Sequence, residues 1–207
     1  MQQMQREQQE AVMRRIGQAN NGVSVIALDG RAAAGKSTLA AALAETLQAA
    51  VIHMDDFFLP PALRTPQRLD RPGGNIHYER FAEEVLPRLR GGQAFCYRRF
   101  DCRTMDYGGW AEVPAAPILL VEGAYAHHPF FGRYADLTVF CDISPARQKQ
   151  RILARNGREG WPAFRDRWIP LEEAYLAAFR IRERADLVIC MNYFHNWLQF
   201  PRSLCIL

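Results

Sequence analysis

The chain has 207 residues, of which 49% are hydrophobic and 23% charged, with a formal net charge of +4. This length and composition predict a single globular domain over residues 1–207 with a sizeable core, and they exclude a disordered, low-complexity chain. The basic residues are spread along the chain rather than grouped in a block, so we expect no nucleic-acid partner. No apolar run approaches the length of a membrane span, so we expect no membrane partner either.

The cysteines and the N-terminus predict the compartment. Five cysteines occur without a C-x-x-C pair, a pattern that excludes the usual zinc spacings and suggests no disulfide framework. The N-terminal stretch MQQMQREQQEAVMRRI is polar and lacks the apolar core of a signal peptide. We therefore expect a reduced, cytoplasmic protein, and the sequence leaves open whether it forms a homo-oligomer.

In chain order, predicted helices and apolar strands alternate. Strands are predicted over residues 22–28, 50–54, 117–123, 136–142 and 186–191. Helices are predicted over residues 1–20, 37–50, 78–90, 144–156 and 170–184. This alternation predicts a doubly wound α/β fold with a mainly parallel sheet covered on both faces. Residues 95–113, with adjacent glycines at 108 and 109, are expected to form a hairpin outside that sheet.

A phosphate-binding loop is predicted between the first strand and the helix that follows it. Gly30–Ser37 reads GRAAAGKS, which matches the pattern G-x-x-x-x-G-K-[ST]. Glycines let backbone amides curl around phosphate oxygens, and the next helix points its N-terminal amides at the same oxygens. The predicted nucleotide-binding residues are Gly30, Arg31, Ala32, Ala33, Ala34, Gly35, Lys36, Ser37 and Thr38.

Three positions of this loop have consequences of their own. Lys36 is one of only two lysines among 26 basic residues, and we predict that its ammonium group reaches the β- and γ-phosphates. Ser37 offers a hydroxyl group to Mg²⁺. Ala33 stands where related loops often carry glycine, and if its φ is positive, alanine costs about 1 kcal/mol there. The alternative interpretation is a glycine-bearing turn capped by Ser37, without a ligand.

Acidic residues follow two of the predicted strands. Asp55 and Asp56 come after the second strand, in HMDDFFLP, and Glu122 ends the third. Loops at the carboxyl ends of the strands in a doubly wound sheet face the nucleotide site. A carboxylate there can orient an acceptor hydroxyl and take its proton, and another can hold Mg²⁺. Alternatively, the aspartates cap the next segment and Glu122 marks the exit of its strand to solvent.

An arginine-rich segment covers residues 147–168 and is predicted to act as a lid. Arg151 and Arg155 lie one helical turn apart on the same face, and Arg158 follows a glycine turn. Guanidinium groups on a mobile segment can close over a triphosphate and stabilise the charge that develops in transfer. A solvated basic face is the alternative interpretation.

The ordered set of motifs carries a family resemblance. The phosphate loop, MDDFFLP, PGGNIHYERF, FDCRTMDYG, VEG and the arginine-rich segment resemble the uridine kinase/phosphoribulokinase-like group of P-loop kinases. Within that group, the bacterial uridine kinase-like proteins are the most similar. The resemblance spans about residues 23–189. It implies a P-loop NTPase fold of the nucleoside monophosphate kinase-like type, with ATP as the donor, Mg²⁺, and a small hydroxyl-bearing acceptor.

The resemblance also implies roles for individual residues. Asp55 would be the general base, and Ser37 and Glu122 would hold the metal. Lys36, with the lid arginines Arg151, Arg155 and Arg158, would stabilise the transferring phosphate. The acceptor would lie against Asp55, Phe58, His77, Tyr78, Arg80 and Met105.

Two of these positions depart from the family pattern. His77 stands where the family commonly has an aspartate that grips ribose hydroxyls, and Met105 stands in the segment that carries a base-reading histidine. A histidine still hydrogen-bonds a hydroxyl, but a thioether cannot donate to a base carbonyl. A nucleoside and a non-nucleoside alcohol, such as a vitamin precursor or a sugar phosphate, therefore both stay open as acceptors.

A nucleotide-binding regulatory module without kinase activity is the remaining alternative. The chain has no N-K-x-D motif, which argues against a guanine-nucleotide switch. His127 and His128 are interpreted as loop residues near the mouth of the site. The aromatic tail, residues 191–207, is unusual for the family, and the sequence leaves its role open.

Overall fold

The computed structural model describes residues 24–192, with a five-stranded parallel sheet at the centre. In chain order the strands are β1 (Ser24–Gly30), β2 (Ala50–His53), β3 (Phe95–Asp101), β4 (Asp106–Val113), β5 (Ile118–Glu122), β6 (Leu137–Asp142) and β7 (Leu187–Cys190). The sheet order is β2-β5-β1-β6-β7, and every neighbouring pair is parallel. Strands β3 and β4 form a separate antiparallel hairpin. The predicted doubly wound fold and the hairpin are confirmed, and the predicted strand ends agree within two residues.

Helices connect the strands and cover the sheet. They are α1 (Lys36–Leu47), α2 (Pro66–Leu69), α3 (Tyr78–Glu84), α4 (Pro145–Ala163), α5 (Ile169–Phe179) and α6 (Ile181–Arg184). Helix α3 ends before its predicted boundary because Pro87 lies in the next turn and disfavours helical backbone before it. The predicted helix over 170–184 is divided at Arg180, whose φ is 52°.

Hydrophobic clusters cover both faces of the sheet. Successive side chains of a strand point to opposite faces, so Val25 and Ala27 of β1 enter one cluster and Ile26 and Leu28 enter the other. The second cluster is completed by α1, which places Leu39, Ala40 and Leu43 on one face at helical spacing. Burying each large apolar side chain contributes about 1.5–3 kcal/mol, so both faces hold the carboxyl ends of the strands in place.

Two predicted segments fall outside residues 24–192: the helix over 1–20 and the aromatic tail from residue 193 onward. Among the helices that the structure describes, none is both long and apolar enough to span a bilayer.

Gly30 is the position in the sheet where a side chain is least tolerable. Its φ is 139°, and a Cβ atom added there would lie 2.2 Å from the carbonyl oxygen of Cys141 on β6. We therefore expect Gly30→Ala to lower the free energy of unfolding by about 2–4 kcal/mol, through backbone strain and overpacking together. Urea denaturation followed by circular dichroism measures this change.

Gly132→Ala is the matched control for Gly30→Ala. Gly132 also has a positive φ, 61°, but no atom lies within 4 Å of its added Cβ. This control isolates the backbone term, for which we expect a loss of about 1–3 kcal/mol, because a ψ of −157° places Gly132 in a region that is essentially restricted to glycine. Equal stability of the two variants would show that the close contact with β6 does not constrain Gly30.

Candidate active site

The carboxyl ends of β1, β2 and β5 lie side by side and form the floor of the site. The register pairs His53, the last residue of β2, with Glu122, the last residue of β5. Glu122 is also paired with Leu28, two residues before the phosphate loop begins at Gly30. The loop and two titratable side chains therefore meet at one edge of the sheet, where doubly wound folds bind ligands.

The loop itself adopts a conformation that requires positive φ at three positions. These are Gly30 at 139°, Ala33 at 56° and Gly35 at 107°. Gly35 precedes α1, and no side chain caps the helix. No acceptor between residues 24 and 192 contacts the amides of Gly35, Lys36 and Ser37. Uncapped amides at the N-terminus of a helix are a ready site for an anion.

Lys36 folds back over the loop. Its Nζ atom donates to the carbonyl oxygens of Gly30 at 2.7 Å and of Arg31 at 3.0 Å, and the side chain is buried. An ammonium group has three protons to donate, so one remains for a further acceptor. Lys36 therefore keeps a positive charge directed along the loop.

The loop is held from outside by acidic residues of α5 and β6. The Glu172 carboxylate accepts the amide N–H of Ala32 at 2.7 Å, and Arg31 donates to Glu173 at 2.6 Å and to Asp142. Glu172 is buried, and this burial raises its pKa to about 7. The side chain of Arg31 therefore fixes the loop and does not project over it.

Asp29 fixes the base of the loop. It is fully buried, and its carboxylate accepts hydrogen bonds from the amides of Gly30, Tyr125 and His127 and from the hydroxyl of Tyr175. Four donors on one buried carboxylate compensate for its removal from water. This cluster ties β1 to the loop after β5 and to α5.

Ser37 and Glu122 provide a site suited to Mg²⁺. The Ser37 hydroxyl lies 3.1 Å from each carboxylate oxygen of Glu122. His53 Nδ1 lies 2.5 Å from Glu122 Oε1, and this hydrogen bond raises the pKa of His53. Residues 24–192 contain no group of three or more histidine, cysteine or acidic side chains that could hold a metal. Mg²⁺ commonly takes only one or two protein oxygens beside phosphates and water, so this pair fits.

The two adjacent aspartates diverge. Asp56 is buried and accepts a hydrogen bond from the Tyr97 hydroxyl at 2.8 Å and a longer one from Arg99 at 3.4 Å. Both donors belong to β3, so Asp56 attaches the hairpin to the end of β2. No hydrogen-bond donor in the described part of the chain contacts the Asp55 carboxylate.

Asp55 lies deep in the fold although its side chain is partly accessible. Burial raises its pKa to about 6, and the charge of Glu122 adds to this increase. The charges of Lys36 and His53 act in the opposite direction. Asp55 therefore shares the electrostatic environment of the phosphate loop and the candidate metal pair.

Phe58 and His77 lie together on the acceptor side. Phe58 forms an antiparallel bridge with Ile76, and the amide of His77 donates to the carbonyl of Phe57 at 2.7 Å. The Nδ1 atom of His77 hydrogen-bonds the hydroxyl of Tyr107 at 2.7 Å. Burial lowers the pKa of His77, so its imidazole is neutral near pH 7.

Tyr78 and Arg80, both predicted acceptor contacts, are buried and packed against other side chains of the protein. The Tyr78 ring lies between the guanidinium of Arg68 at 3.8 Å and the ring of His128 at 4.8 Å. Arg80 contacts the rings of Phe57 and Tyr107 at 4.6 Å each and donates to Glu84 at 2.7 Å. Aromatic stacking and ion pairing consume both side chains, and we infer that they support the acceptor segment.

Met105 lies in the turn between β3 and β4. Its φ is 58°, and its side chain is half-buried. Tyr107, two residues later, makes the hydrogen bond from the hairpin to His77. The hairpin therefore reaches the acceptor side through a tyrosine that the sequence analysis did not single out.

Arg151 lies behind the phosphate loop, apart from the predicted lid. It is buried and donates to the carbonyl oxygens of Ala33 at 3.2 Å, Ala34 at 2.9 Å and Met191 at 2.6 Å. Burial lowers its pKa to about 10, which still leaves it charged at neutral pH. These contacts give Arg151 the role of a support for the loop.

Arg155 and Arg158 lie where a lid can begin. Gly157 breaks α4 with φ 73° and ψ −179°, and Arg158 follows it on the surface. Burial lowers the pKa of Arg155, and the charge of Asp55 partly offsets this change. The guanidinium carbon of Arg155 lies 5.5 Å from the centre of the Phe164 ring, and its Nε donates to the side-chain oxygen of Asn156 at 2.8 Å.

His127 is half-buried and His128 is buried, so both are less exposed than residues at the mouth of a site usually are. His127 Nε2 lies 3.1 Å from the carbonyl oxygen of Ala27. His128 is buried and stacks on Tyr78 and Tyr175 at 4.8 and 5.8 Å. Both histidines therefore fix the segment after β5, in agreement with their interpretation as loop residues first.

Four residues that hold the loop or the candidate metal pair were not predicted from the sequence: Asp29, His53, Glu172 and Glu173. Asp29 could have been predicted, because it is a charged residue near the end of an apolar strand, directly before the glycine loop. Glu122 was singled out on the same pattern. His53 also lies at a strand end, next to the aspartates. Glu172 and Glu173 had no such signal, since an acidic pair on a helix is usually solvated.

The parallel sheet, the loop after β1 and the helix behind it define a P-loop NTPase of the α/β class. Solved structures agree with this assignment. The chain matches a protein from Bacillus stearothermophilus, described as a possible uridine kinase, with a TM-score of 0.68 and 20% identity over 89% of this chain and 98% of that one. It also matches a protein from Silicibacter sp. TM1040, provisionally called a fructose transport system kinase, with a TM-score of 0.65 and 25% identity over 88% and 97%.

A third solved structure, the YGR205w protein, has a TM-score of 0.59 and 13% identity over 88% of this chain and 91% of that chain. No family model matches the chain, and no curated protein matches it by sequence. The predicted resemblance to uridine kinase-like P-loop kinases is thus confirmed at the level of the fold.

Proposed function

We propose that the protein transfers the γ-phosphate of ATP to a hydroxyl group of a small molecule. The observation that supports this most strongly is the position of Asp55. Its carboxylate has no hydrogen-bond donor among residues 24–192, and its pKa, raised to about 6, is affected by the charges of both Lys36 and Glu122. A general base needs this combination of proximity and poised pKa, whereas a protein that only binds nucleotide does not.

The remaining residues take roles that follow from their contacts. The amides of Gly35, Lys36 and Ser37 bind phosphate oxygens, and Lys36 adds a compact positive charge. Ser37 and Glu122 hold Mg²⁺, which neutralises charge on the phosphates when it is bound. Arg155, with Arg158 beyond the Gly157 break, approaches from the lid and stabilises charge on the transferring group.

A nucleoside is the first candidate for the acceptor, because the sequence resembles uridine kinases. One observation favours weak selection among bases. The hairpin offers Met105, with no polar hydrogen, where base reading is expected, and the Nδ1 atom of His77 is hydrogen-bonded to the hydroxyl of Tyr107. In such a pocket the wrong base leaves no buried polar group unpaired. The difference in transition-state binding between analogues is then roughly 1–3 kcal/mol and comes from shape and stacking.

A panel of alcohols tests this proposal. ADP formation is measured with uridine, cytidine, adenosine, pantothenate, fructose and glycerol as acceptors. We expect at least one acceptor to stimulate turnover, and we expect kcat/KM for uridine and cytidine to differ by less than about 200-fold. A preference of about 10⁴-fold for uridine would contradict weak base selection and would require a donor elsewhere in the site.

A further inference from the structure

One peptide unit of the phosphate loop, between Arg31 and Ala32, is held between two opposite charges. Its carbonyl oxygen accepts a hydrogen bond from Nζ of Lys36 at 3.0 Å, and its N–H donates to the carboxylate of Glu172 at 2.7 Å. No peptide bond among residues 24–192 is cis, so the carbonyl and the N–H of this unit point in opposite directions. Lys36 and Glu172 therefore lie on opposite sides of the same peptide.

These two charges determine which way the peptide faces. If the unit turned over, its N–H would face the ammonium group of Lys36 and its carbonyl oxygen would face the carboxylate of Glu172. Both contacts would bring charges of the same sign together. Both side chains are buried, where electrostatic interactions are stronger than in water. Lys36 and Glu172 therefore act together to stabilise the observed orientation.

The orientation of the peptide in turn directs Lys36. Its Nζ atom donates to the carbonyl oxygens of Gly30 at 2.7 Å and of Arg31 at 3.0 Å, and these two acceptors fix two of its three protons. The third proton is the one that a phosphate oxygen can accept. Loss of the Arg31 carbonyl as an acceptor would leave the ammonium group free to rotate, and its contact with phosphate would weaken.

The carboxylate of Glu172 changes its charge near neutral pH. Burial raises its pKa to about 7, against the charge of Lys36 on α1, which lowers the pKa. The charges of Asp29 on β1 and of Glu173 on α5 add to the increase. Tyr125, after β5, also faces this charge, but burial raises the pKa of its hydroxyl and keeps it neutral. Glu172 is therefore ionised above about pH 7 and protonated below it.

A protonated Glu172 would not favour one orientation of the peptide. One of its oxygens can accept the N–H as before, but its O–H can equally donate to the carbonyl of a peptide that has turned over. Hydrogen bonds to a charged carboxylate are also about twice as strong as those to a neutral acid. The ionised form of Glu172 is therefore the one that holds the peptide.

We propose that Glu172 is a positioning residue of the phosphate loop, whose carboxylate charge holds the Arg31–Ala32 peptide so that Lys36 directs a proton at the phosphates of a bound nucleotide. Nucleotide affinity should therefore fall when Glu172 gains a proton. The inference rests on the proposed function for the identity of the ligand. The orientation of the peptide does not depend on it, since it can be measured without nucleotide.

The amide proton of Ala32 reports on the peptide in the free protein. A short hydrogen bond to a carboxylate moves an amide proton downfield in an NMR spectrum, and protonation of the carboxylate reverses part of that shift. In isotope-labelled protein we expect the Ala32 resonance to titrate with a midpoint near the pKa of Glu172, about 7. The Glu172→Gln variant should lose this titration.

Calorimetry with Mg²⁺ and ADP tests the consequence for the ligand. Glutamine mimics the protonated acid, since it offers one acceptor and one donor group without a charge. At about pH 8 we expect Glu172→Gln to bind ADP about fivefold or more weakly than the wild type, the scale of one hydrogen bond that changes from charged to neutral. At about pH 6 the two should agree within about twofold. Asp55 and the phosphates of ADP also titrate, but they are the same in both proteins and cancel in the comparison.

Glu173→Gln is the matched control, because it makes the same change at the next residue of α5. Glu173 accepts a hydrogen bond from Arg31 at 2.6 Å, and Asp142 remains as a carboxylate partner of that arginine in the variant. We expect this control to keep the wild-type change in ADP affinity between about pH 6 and pH 8. A residue that only supported the fold would change the stability of the protein without changing that pH dependence.

Two results would overturn the proposal. One is an Ala32 resonance that stays constant between about pH 6 and pH 8. The other is a Glu172→Gln variant that binds ADP as tightly as the wild type at about pH 8, or more tightly, as repulsion between Glu172 and the phosphates would cause. A wild type that does not bind ADP at any pH would overturn this proposal and the proposed function together. ADP binding with the expected pH dependence, but no phosphoryl transfer, would refute the kinase proposal alone.

Discussion

Replacing Asp55 with asparagine is expected to lower kcat by 100-fold or more while ATP affinity stays within about twofold. The change keeps the shape of the side chain but removes the proposed general base, and general bases contribute roughly 10²–10⁴-fold. In the proposed complex ATP binds the phosphate loop, and Asp55 is not one of the loop residues. Single-turnover kinetics and nucleotide titration measure the two quantities separately.

Asp56→Asn is the matched control, since it also replaces one oxygen of a carboxylate by an amide nitrogen, at the adjacent residue. Asp56 accepts its main hydrogen bond from Tyr97, and an asparagine oxygen can still accept it. We expect a modest loss of stability and less than about fivefold loss of kcat. Near-normal turnover in Asp55→Asn, or an equal loss in both variants, would return Asp55 to a structural role.

The pH dependence of turnover tests the same assignment. The pKa of Asp55 is raised to about 6 by burial and by the charge of Glu122. A base acts only when deprotonated, so kcat/KM should fall as the pH decreases through about 6 and level off above 7. The Asp55→Asn variant should lose this acidic limb. A wild-type profile that is flat between pH 5 and 7 would contradict the assignment.

Lys36→Met is expected to lower kcat by about 10²–10³-fold, the usual loss when one donor to a transition-state charge is removed. Methionine has a similar length and remains compatible with the buried position, but it cannot donate to phosphate oxygens. Lys36 also lowers the pKa of Asp55 through its charge. The variant should therefore show an acidic limb displaced towards higher pH, which the residual activity can reveal.

Lys149→Met is the matched control, because the chain contains only these two lysines. Lys149 is exposed on α4, where its ammonium lies 5.4 Å from the ring centre of Trp161. We expect its replacement to change kcat less than twofold. Comparable losses in the two lysine variants would contradict a specific role for Lys36 at the phosphate loop.

Much of the scaffold could be predicted from local sequence. Short β-branched runs predicted all five strands of the parallel sheet, because a strand buried on both faces has few polar positions. The loop between β1 and α1 could be predicted from the spacing of its glycines. Gly30 and Gly35 both have positive φ, which glycine adopts readily. The possible cost of alanine at position 33 was considered from the sequence on the condition of a positive φ, and φ at Ala33 is 56°.

The parts that could not be predicted depend on partners distant in the sequence. Arg151 and Arg155 have the same spacing signal, yet Arg151 donates to carbonyl oxygens of the phosphate loop, whereas Arg155 donates to its neighbour Asn156. Glu172 is buried against an amide 140 residues away. Periodicity assigns a face of a helix, but it does not identify the surface that the face meets.

The acceptor side shows the same limit. The motif around NIHYERF predicted contacts for consecutive residues, but helix geometry separates them. His77 remains half-buried beside Tyr107, while Tyr78 and Arg80 turn into the protein. A linear motif therefore marks the segment that forms a site without saying which of its side chains line it.

Phosphoryl transfer to an alcohol is tested most directly by following the γ-phosphate of labelled ATP. The protein is incubated with Mg²⁺, ATP labelled at the γ-phosphate and each alcohol that stimulates ADP formation, and the products are separated. We predict that the label is recovered in a phosphate ester of the alcohol, in amounts equal to the ADP formed, and that Asp55→Asn abolishes this product. Label found only in free phosphate, at a rate that no alcohol changes, would contradict the claim and favour a nucleotide-binding regulatory module.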